Sequence, residues 1–159
     1  MKTKPRKGVS KPYPNPDDFP ISMVEETMVH YQTMYVDPVA LLNSSKKGLR
    51  AKAALDFISI SGFTYDEFQE TFKTTVKTIQ NYAVQDLKLD AALSEKILKS
   101  FALFKKGIEV FGSAKAFHQW LNTAAYGLGN QLPFNLMDTV TGITLIEEEL
   151  VRIGYGDLA

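Results

Sequence analysis

The strongest constraint on the fold is a ladder of large apolar side chains at Leu93, Ile97, Phe101, Phe104, Ile108 and Phe111, spaced by three or four residues and closed by Gly112. That period places all six on one stripe of an α-helix, and so large a stripe must be buried. The spacing predicts a helix from about Ser94 to Phe111, capped by Ser94 with Leu93 stapled to Leu98, and ended by Gly112 in the left-handed conformation. Other segments carry the same period. Ser22 followed by Glu25 has the form of a capping box, with Met23, Thr27, His30 and Met34 at helical spacing, and Asp37-Pro38 starts a second helix. Leu49, Ala53, Phe57 and Ile60 line one face of a third, which Gly62 ends. Ser113 starts a short helix carrying Ala116, Phe117, Trp120 and Leu121, and a last helix from about Val140 buries Ile143, Ile146, Leu150 and Ile153 before Gly154. No segment shows the period of two that a half-buried strand needs. The chain is expected to be all-α, with about eight short helices and no internal repeat.

What the chain lacks narrows what it does. The absence of cysteine excludes disulfides, thiolate metal sites and cysteine nucleophiles. No apolar run approaches the roughly 18 residues of a membrane span. The basic N-terminus runs into KPYPNPDDFP instead of an apolar segment, so no secretory signal is expected. A soluble, cytoplasmic protein is the expectation. Lys+Arg and Asp+Glu both number 18, so the total charge names no partner, but its distribution says more. Residues 1–12 hold five bases and no acid, residues 46–106 eleven bases against seven acids, and residues from 107 onward two bases against six acids. A basic middle and an acidic C-terminal third suggest two faces with different partners. Five of the seven prolines fall within residues 1–20. The expected organisation is a flexible basic arm at 1–21, one domain at 22–92 and another at 93–159.

The first stretch with possible chemistry is GFTYDEFQETFKTTVKTIQNYAV, residues 62–84. Thr64 with Glu67 forms a capping box for one short helix, a turn falls near Lys73-Thr74, and Thr75 caps a second whose buried side is Val76, Ile79 and Tyr82. Two short helices joined by a tight turn are a helix-turn-helix, and the apolar ladder Phe68, Phe72, Ile79 and Tyr82 supports their steep packing. Lys77, Gln80 and Asn81 then point outward, with Thr75 and Thr78 near the N-terminal end of the second helix. Gln and Asn pair bidentately with adenine, while Lys and Thr reach guanine or phosphate, so these five residues are the expected DNA contacts. An ordinary helical hairpin with a solvated polar face fits the same pattern, and Lys73 stands where glycine is commonest. Elsewhere the signals are structural. His30 and His118 lack a histidine or carboxylate at i+4, GLG at 127–129 lacks a preceding strand, and Glu147, Glu148 and Glu149 read as a solvated face on which Glu148 pairs with Arg152. No nucleophile, base and oxyanion donor come together, so no catalytic residue, metal ligand or cofactor is expected and the chain does not read as an enzyme.

From Val110 the residues Val110-Phe111-Gly112, Ala116, Trp120-Leu121, Leu128-Gly129, Pro133, Leu136-Met137-Asp138-Thr139, Gly142, Leu150, Ile153 and Tyr155-Gly156 resemble the C-terminal toxin-binding domain of the Xre/MbcA/ParS antitoxin family. Residues 48–92 are similar to the Xre-type helix-turn-helix of these antitoxins, and DPVALLNSSKKGL to the segment that introduces it, so the likeness covers roughly residues 37–159. Lys73 at the turn and LGNQLP before Pro133 depart from the pattern. The resemblance implies a type II antitoxin that dimerises, binds its operator DNA, and covers the active-site entrance of a RES-domain toxin that depletes NAD. On that footing the toxin-binding residues are Trp120, Leu128, Gly129, Pro133, Leu136, Arg152, Ile153, Tyr155, Gly156 and Leu158. Pro133 would start a one-turn helix, Asp138 and Thr139 would cap the last helix, and Gly129 and Gly142 would permit close backbone approach. The helix at 94–111 is the candidate for part of the dimer interface, unless the core uses its whole apolar stripe. A transcriptional regulator of this architecture without a toxin, or a helical adaptor without DNA binding, fits the same residues.

Overall fold

The computed structural model describes residues 21–156; the arm at 1–20 and Leu158 lie outside the described residues. Those residues are all-α. The helices are α1 (Ile21–Gln32), α2 (Pro38–Lys47), α3 (Lys52–Ser61), α4 (Tyr65–Phe72), α5 (Val76–Val84), α6 (Ala91–Phe111), α7 (Ala114–Leu121) and α8 (Val140–Gly154), with 3-10 turns at Tyr126–Leu128 and Pro133–Leu136. Among the described residues no helix is long and apolar enough to cross a membrane.

The ladder read from the sequence is the axis of the molecule. α6 is about 32 Å long at 1.5 Å per residue, and Ile97, Phe101 and Phe104 on it are fully buried within the chain. α1, α2, α3, α4, α7 and α8 all pack against α6. Ile97, Phe101 and Phe104 are therefore core, whereas Leu93, Ile108 and Phe111 stay partly buried. Phe57 of α3 sits at the centre, with edge-on contacts at 5.2 Å to Phe63, 5.5 Å to Phe72, 5.4 Å to Phe101 and 5.2 Å to Phe104. Each such pair adds about 0.5–1.5 kcal/mol beyond its buried area. Farther along α6, Gly107 lets α7 close: a Cβ there would lie 2.3 Å from the ring of Phe117.

Local capping signals set most helix starts. Asp37, Thr64, Thr75, Ser113 and Thr139 cap α2, α4, α5, α7 and α8 by accepting a backbone N–H three residues on. Two expected caps are displaced. α1 already includes Ile21, so Ser22 lies inside it. α6 begins at Ala91 with Asp90 as its cap, the Leu93 N–H donating to Asp90 Oδ1 at 2.8 Å, which leaves Leu93 in the first turn rather than stapled across Ser94. Ser94 is buried instead. Its hydroxyl accepts the Leu49 N–H at 2.9 Å and donates to the Leu89 carbonyl at 3.4 Å, so a tertiary demand took the side chain a local cap would have used.

Candidate functional site

Two surfaces carry the residues singled out by the sequence. The first is built on α4 and α5. The Thr64–Glu67 capping box is complete, and Thr75 Oγ1 accepts the Thr78 N–H at 3.1 Å. Between them Lys73 takes the left-handed conformation, φ 56°, with its N–H donating to the Gln69 carbonyl at 2.9 Å, so a lysine occupies the position that usually needs glycine. Val76 and Ile79 are buried and fix the rotation of α5 about its axis. Thr75, Lys77, Gln80 and Asn81 are consequently exposed together, and Thr78 is half-buried beside them. Tyr82 departs from the expectation: it is 39% exposed. The chain after α5 folds back, the Leu87 N–H donating to the Tyr82 carbonyl at 2.9 Å, and Leu89 takes the core position instead.

The second surface is the corner between α7 and α8. Pro133 is buried at the first position of the turn Pro133–Leu136, and Thr139 caps α8 through the Gly142 N–H at 2.9 Å. Asp138 does not cap; it lies 3.8 Å from the Lys73 ammonium. Gly142 is required here, because a Cβ would fall 1.7 Å from the Leu136 carbonyl oxygen. Gly129 holds φ 69° after the turn Tyr126–Leu128, and the Ala125 N–H donates to the Gln131 carbonyl at 3.0 Å, closing the loop. Trp120, half-buried, stacks on Phe111 at 5.3 Å and on Phe117 at 5.9 Å. Leu128, Leu136 and Ile153 are partly buried, whereas Gly129, Arg152, Tyr155 and Gly156 are exposed.

Arg152 is held differently from the expectation. It pairs with Glu149, not Glu148, and also donates to the Gly127 carbonyl at 3.3 Å. Glu149 is 2% exposed, since the side chain three residues before Arg152 lies on the buried face of α8. A Cβ at Gly127 would strike both side chains, so that glycine lets the turn Tyr126–Leu128 rest on the ion pair. Beside this clamp stand Tyr126 and Tyr155, 76% and 87% exposed, and Val151 at 40%; Val151 and Tyr155 share a face at i,i+4. The sequence reading did not single out Tyr126 or Val151, because no periodicity marks a side chain that finds no core.

The two surfaces are joined. The Glu67 carboxylate, besides capping α4 at the Thr64 N–H, meets His118 Nε2 of α7 at 2.9 Å and accepts from Asn122 at 3.3 Å. His118 thus has a carboxylate partner 51 residues away that the i+4 test could not find. Burial pushes the Glu67 carboxyl up, but the hydrogen bonds from His118, the Thr64 N–H and Asn122 and the charge of His118 outweigh it and hold the group at about 2.

With this geometry in hand, residues 106–156 match the family model described as the antitoxin Xre/MbcA/ParS C-terminal toxin-binding domain. No curated protein matches the chain.

Proposed function

We propose that this chain, which carries the Xre/MbcA/ParS antitoxin C-terminal toxin-binding domain at residues 106–156, is the antitoxin of a type II pair and neutralises a RES-domain, NAD-depleting toxin by covering its active-site entrance. The observation that carries the reading is the exposed set Tyr126, Val151 and Tyr155 beside the Arg152–Glu149 clamp, all within the matched segment. Aromatic residues and arginine are the usual anchors of interfaces, and here they stand on a turn and helix end that are already ordered, so little entropy is lost on binding. Gly129, Leu128, Leu136, Ile153 and Gly156 form the rim and backing of this surface, with Trp120 and Pro133 beneath it.

The same chain represses its own operon. Residues 22–92 form a helix-turn-helix half that sets α5 in the major groove, with Gln80 and Asn81 reading base edges and Thr75, Lys77 and Thr78 reaching bases or phosphates. Two copies act together, because one short helix reads only a few base pairs and half-sites lie about 34 Å apart. Ile97, Phe101 and Phe104 of the ladder are taken up by the core and are not part of the contact between copies.

The test is co-expression with the product of the neighbouring gene, which this reading expects to be a RES-domain toxin. Full-length protein should restore growth and keep NAD intact, while a chain ending at Gly154 should keep its melting temperature and promoter binding yet lose protection, the complex weakening by more than about 2 kcal/mol, or roughly 30-fold. Cutting after Gly154 spares Arg152 and its clamp. Protection equal to that of the full chain would refute the tail as an anchor, and failure of the full chain to protect would refute the toxin assignment.

A further inference from the structure

A cavity of about 570 Å³ opens where α1, α2 and α3 meet. Its rim carries five basic side chains, His30, Lys47, Arg50, Lys52 and Lys88, and none of its lining residues is acidic. Its floor is apolar, formed by Tyr31, Leu49 and Ala53, each at most 5% exposed. Two carboxylates approach from neighbouring elements. Asp86 lies 3.0 Å from the Arg50 guanidinium, both side chains more than 70% exposed, and Asp56 accepts the Tyr31 hydroxyl behind the floor. Lys47, Lys52 and Lys88 have no carboxylate within ion-pair distance among the described residues.

The backbone forces these cations together. Arg50 and Lys88 face each other across an antiparallel bridge, fixed by the Leu89 N–H donating to the Leu49 carbonyl at 2.8 Å and the Ala51 N–H to the Leu87 carbonyl at 3.3 Å. Gly48, at φ 83°, admits this approach, since a Cβ would lie 2.7 Å from the Leu89 carbonyl oxygen. Like charges placed directly opposite in such a pair destabilise it. An anion in the cavity would offset that repulsion.

The position of the cavity selects the anion. Phosphate strands border the major groove on both sides, so the elements that flank an α5 seated in the groove meet backbone and not base edges. The C-terminal end leads through Asp86, the partner of Arg50, to Lys88 on the cavity rim. We infer that the cavity seats a backbone phosphate of the duplex whose groove α5 occupies. Lys47, Lys52 and Lys88 supply the charge. This rests on the DNA-binding reading of α5, and it adds a contact indifferent to base sequence.

Indifference to sequence makes the test simple. The full chain is titrated with a fluorescent 20-base-pair duplex of scrambled sequence at NaCl from about 50 to 200 mM, and log K is plotted against log salt. Lys52→Ser/Lys88→Ser should make the slope shallower by about 0.9, for the one phosphate no longer neutralised, and weaken scrambled and promoter DNA by one common factor. Lys99→Ser/Lys105→Ser on α6, with the same change in net charge, should leave the slope as in the wild type. A wild-type slope in the folded Lys52→Ser/Lys88→Ser variant overturns the phosphate seat. If Gln80→Ala/Asn81→Ala loses its preference for the promoter in that same series, the α5 reading stands while the seat falls; a wild-type chain with no affinity for any duplex overturns both. Inorganic phosphate titrated against the free chain, followed by the amide signals of Gly48, Leu49 and Ala53, separates the sources. Saturation at micromolar phosphate assigns the cavity to a soluble anion and overturns the DNA seat, whereas no saturation below millimolar supports it.

Discussion

Replacing Arg152 by alanine separates two ways in which this residue can matter. Arg152 is the only partner shown for the Glu149 carboxylate, and Glu149 is 2% exposed while the arginine side chain is 52% exposed. Removing one member of a wholly buried pair costs about 3–5 kcal/mol, because the remaining charge is stranded without water. Here the guanidinium side is open to solvent, so water can reach the carboxylate once the arginine is gone, and the expected cost falls to about 2–3 kcal/mol. At about 2–4 °C per kcal/mol for a chain of this size, the melting temperature should drop by roughly 4–12 °C. Thermal unfolding followed by circular dichroism measures it. The double variant Glu149→Gln/Arg152→Ala removes the stranded charge and should recover most of the loss, giving a coupling energy that the two single variants define. Arg152→Ala melting within about 1 °C of the wild type, or the same drop in a Glu149→Gln background, would refute the clamp. The toxin assay divides the remaining possibilities. If Arg152 acts only by pairing the buried Glu149 charge, the double variant regains protection along with stability; if it touches the toxin or braces the turn Tyr126–Leu128 through the Gly127 carbonyl, a stable double variant still fails to protect.

The other expectations concern the recognition helix, acid stability and the α8 corner. Gln80→Ala or Asn81→Ala should cost about 1–3 kcal/mol for the cognate promoter and relax its specificity, with little loss on scrambled DNA, as measured by competition binding; an unchanged promoter preference in the double variant would count against α5 as the reader. The Glu67 carboxyl is lowered from 4.5 to about 2, so its contribution is complete above pH 4.5 and is lost as the pH falls through that window toward 2. Glu67→Gln should therefore flatten the acid limb of the stability curve between those pH values, and a limb as steep as the wild type's would show that other groups set it. Gly142→Ala drives a methyl group into the Leu136 carbonyl and should destabilise the chain at the upper end of about 1–3 kcal/mol, read from urea unfolding.

What could be read in the sequence divides by distance along the chain. The caps at Asp37, Thr64, Thr75, Ser113 and Thr139 were legible because donor and acceptor lie three residues apart and no other element competes for the side chain. The ladder of α6 was legible because its period is a property of one helix. Ser94 misled for the opposite reason: its hydroxyl has the form of a cap but answers Leu49, 45 residues away. His118 and Glu67 are 51 residues apart, and only packing of α7 against the α4 side brings them together. Among Glu147, Glu148 and Glu149, spacing alone favours the i+4 pair, and the choice of Glu149 is made by the rotation of α8 as Ile143, Ile146 and Leu150 enter the core. At the candidate site the sequence identified Tyr155, Gly129 and Arg152 as residues of the corner, but the exposure of Tyr126 became visible only once the turn had settled over Gly127.

α6 runs unbroken from Ala91 to Phe111, and along it Ser94 holds Leu49, Phe101 stacks on Tyr31, and Phe104 and Gly107 receive Phe117. A gene rearrangement that joined the first 92 residues of one such protein to the remainder of another would cut two residues into this helix and ask surfaces from unrelated parents to interlock. Such hybrids would start with a damaged interior, so exchange of the N-terminal half between lineages is disfavoured. If α5 reads DNA as proposed, new preferences should then arise by point changes at outward positions such as Lys77, Gln80 and Asn81, which no interior residue constrains.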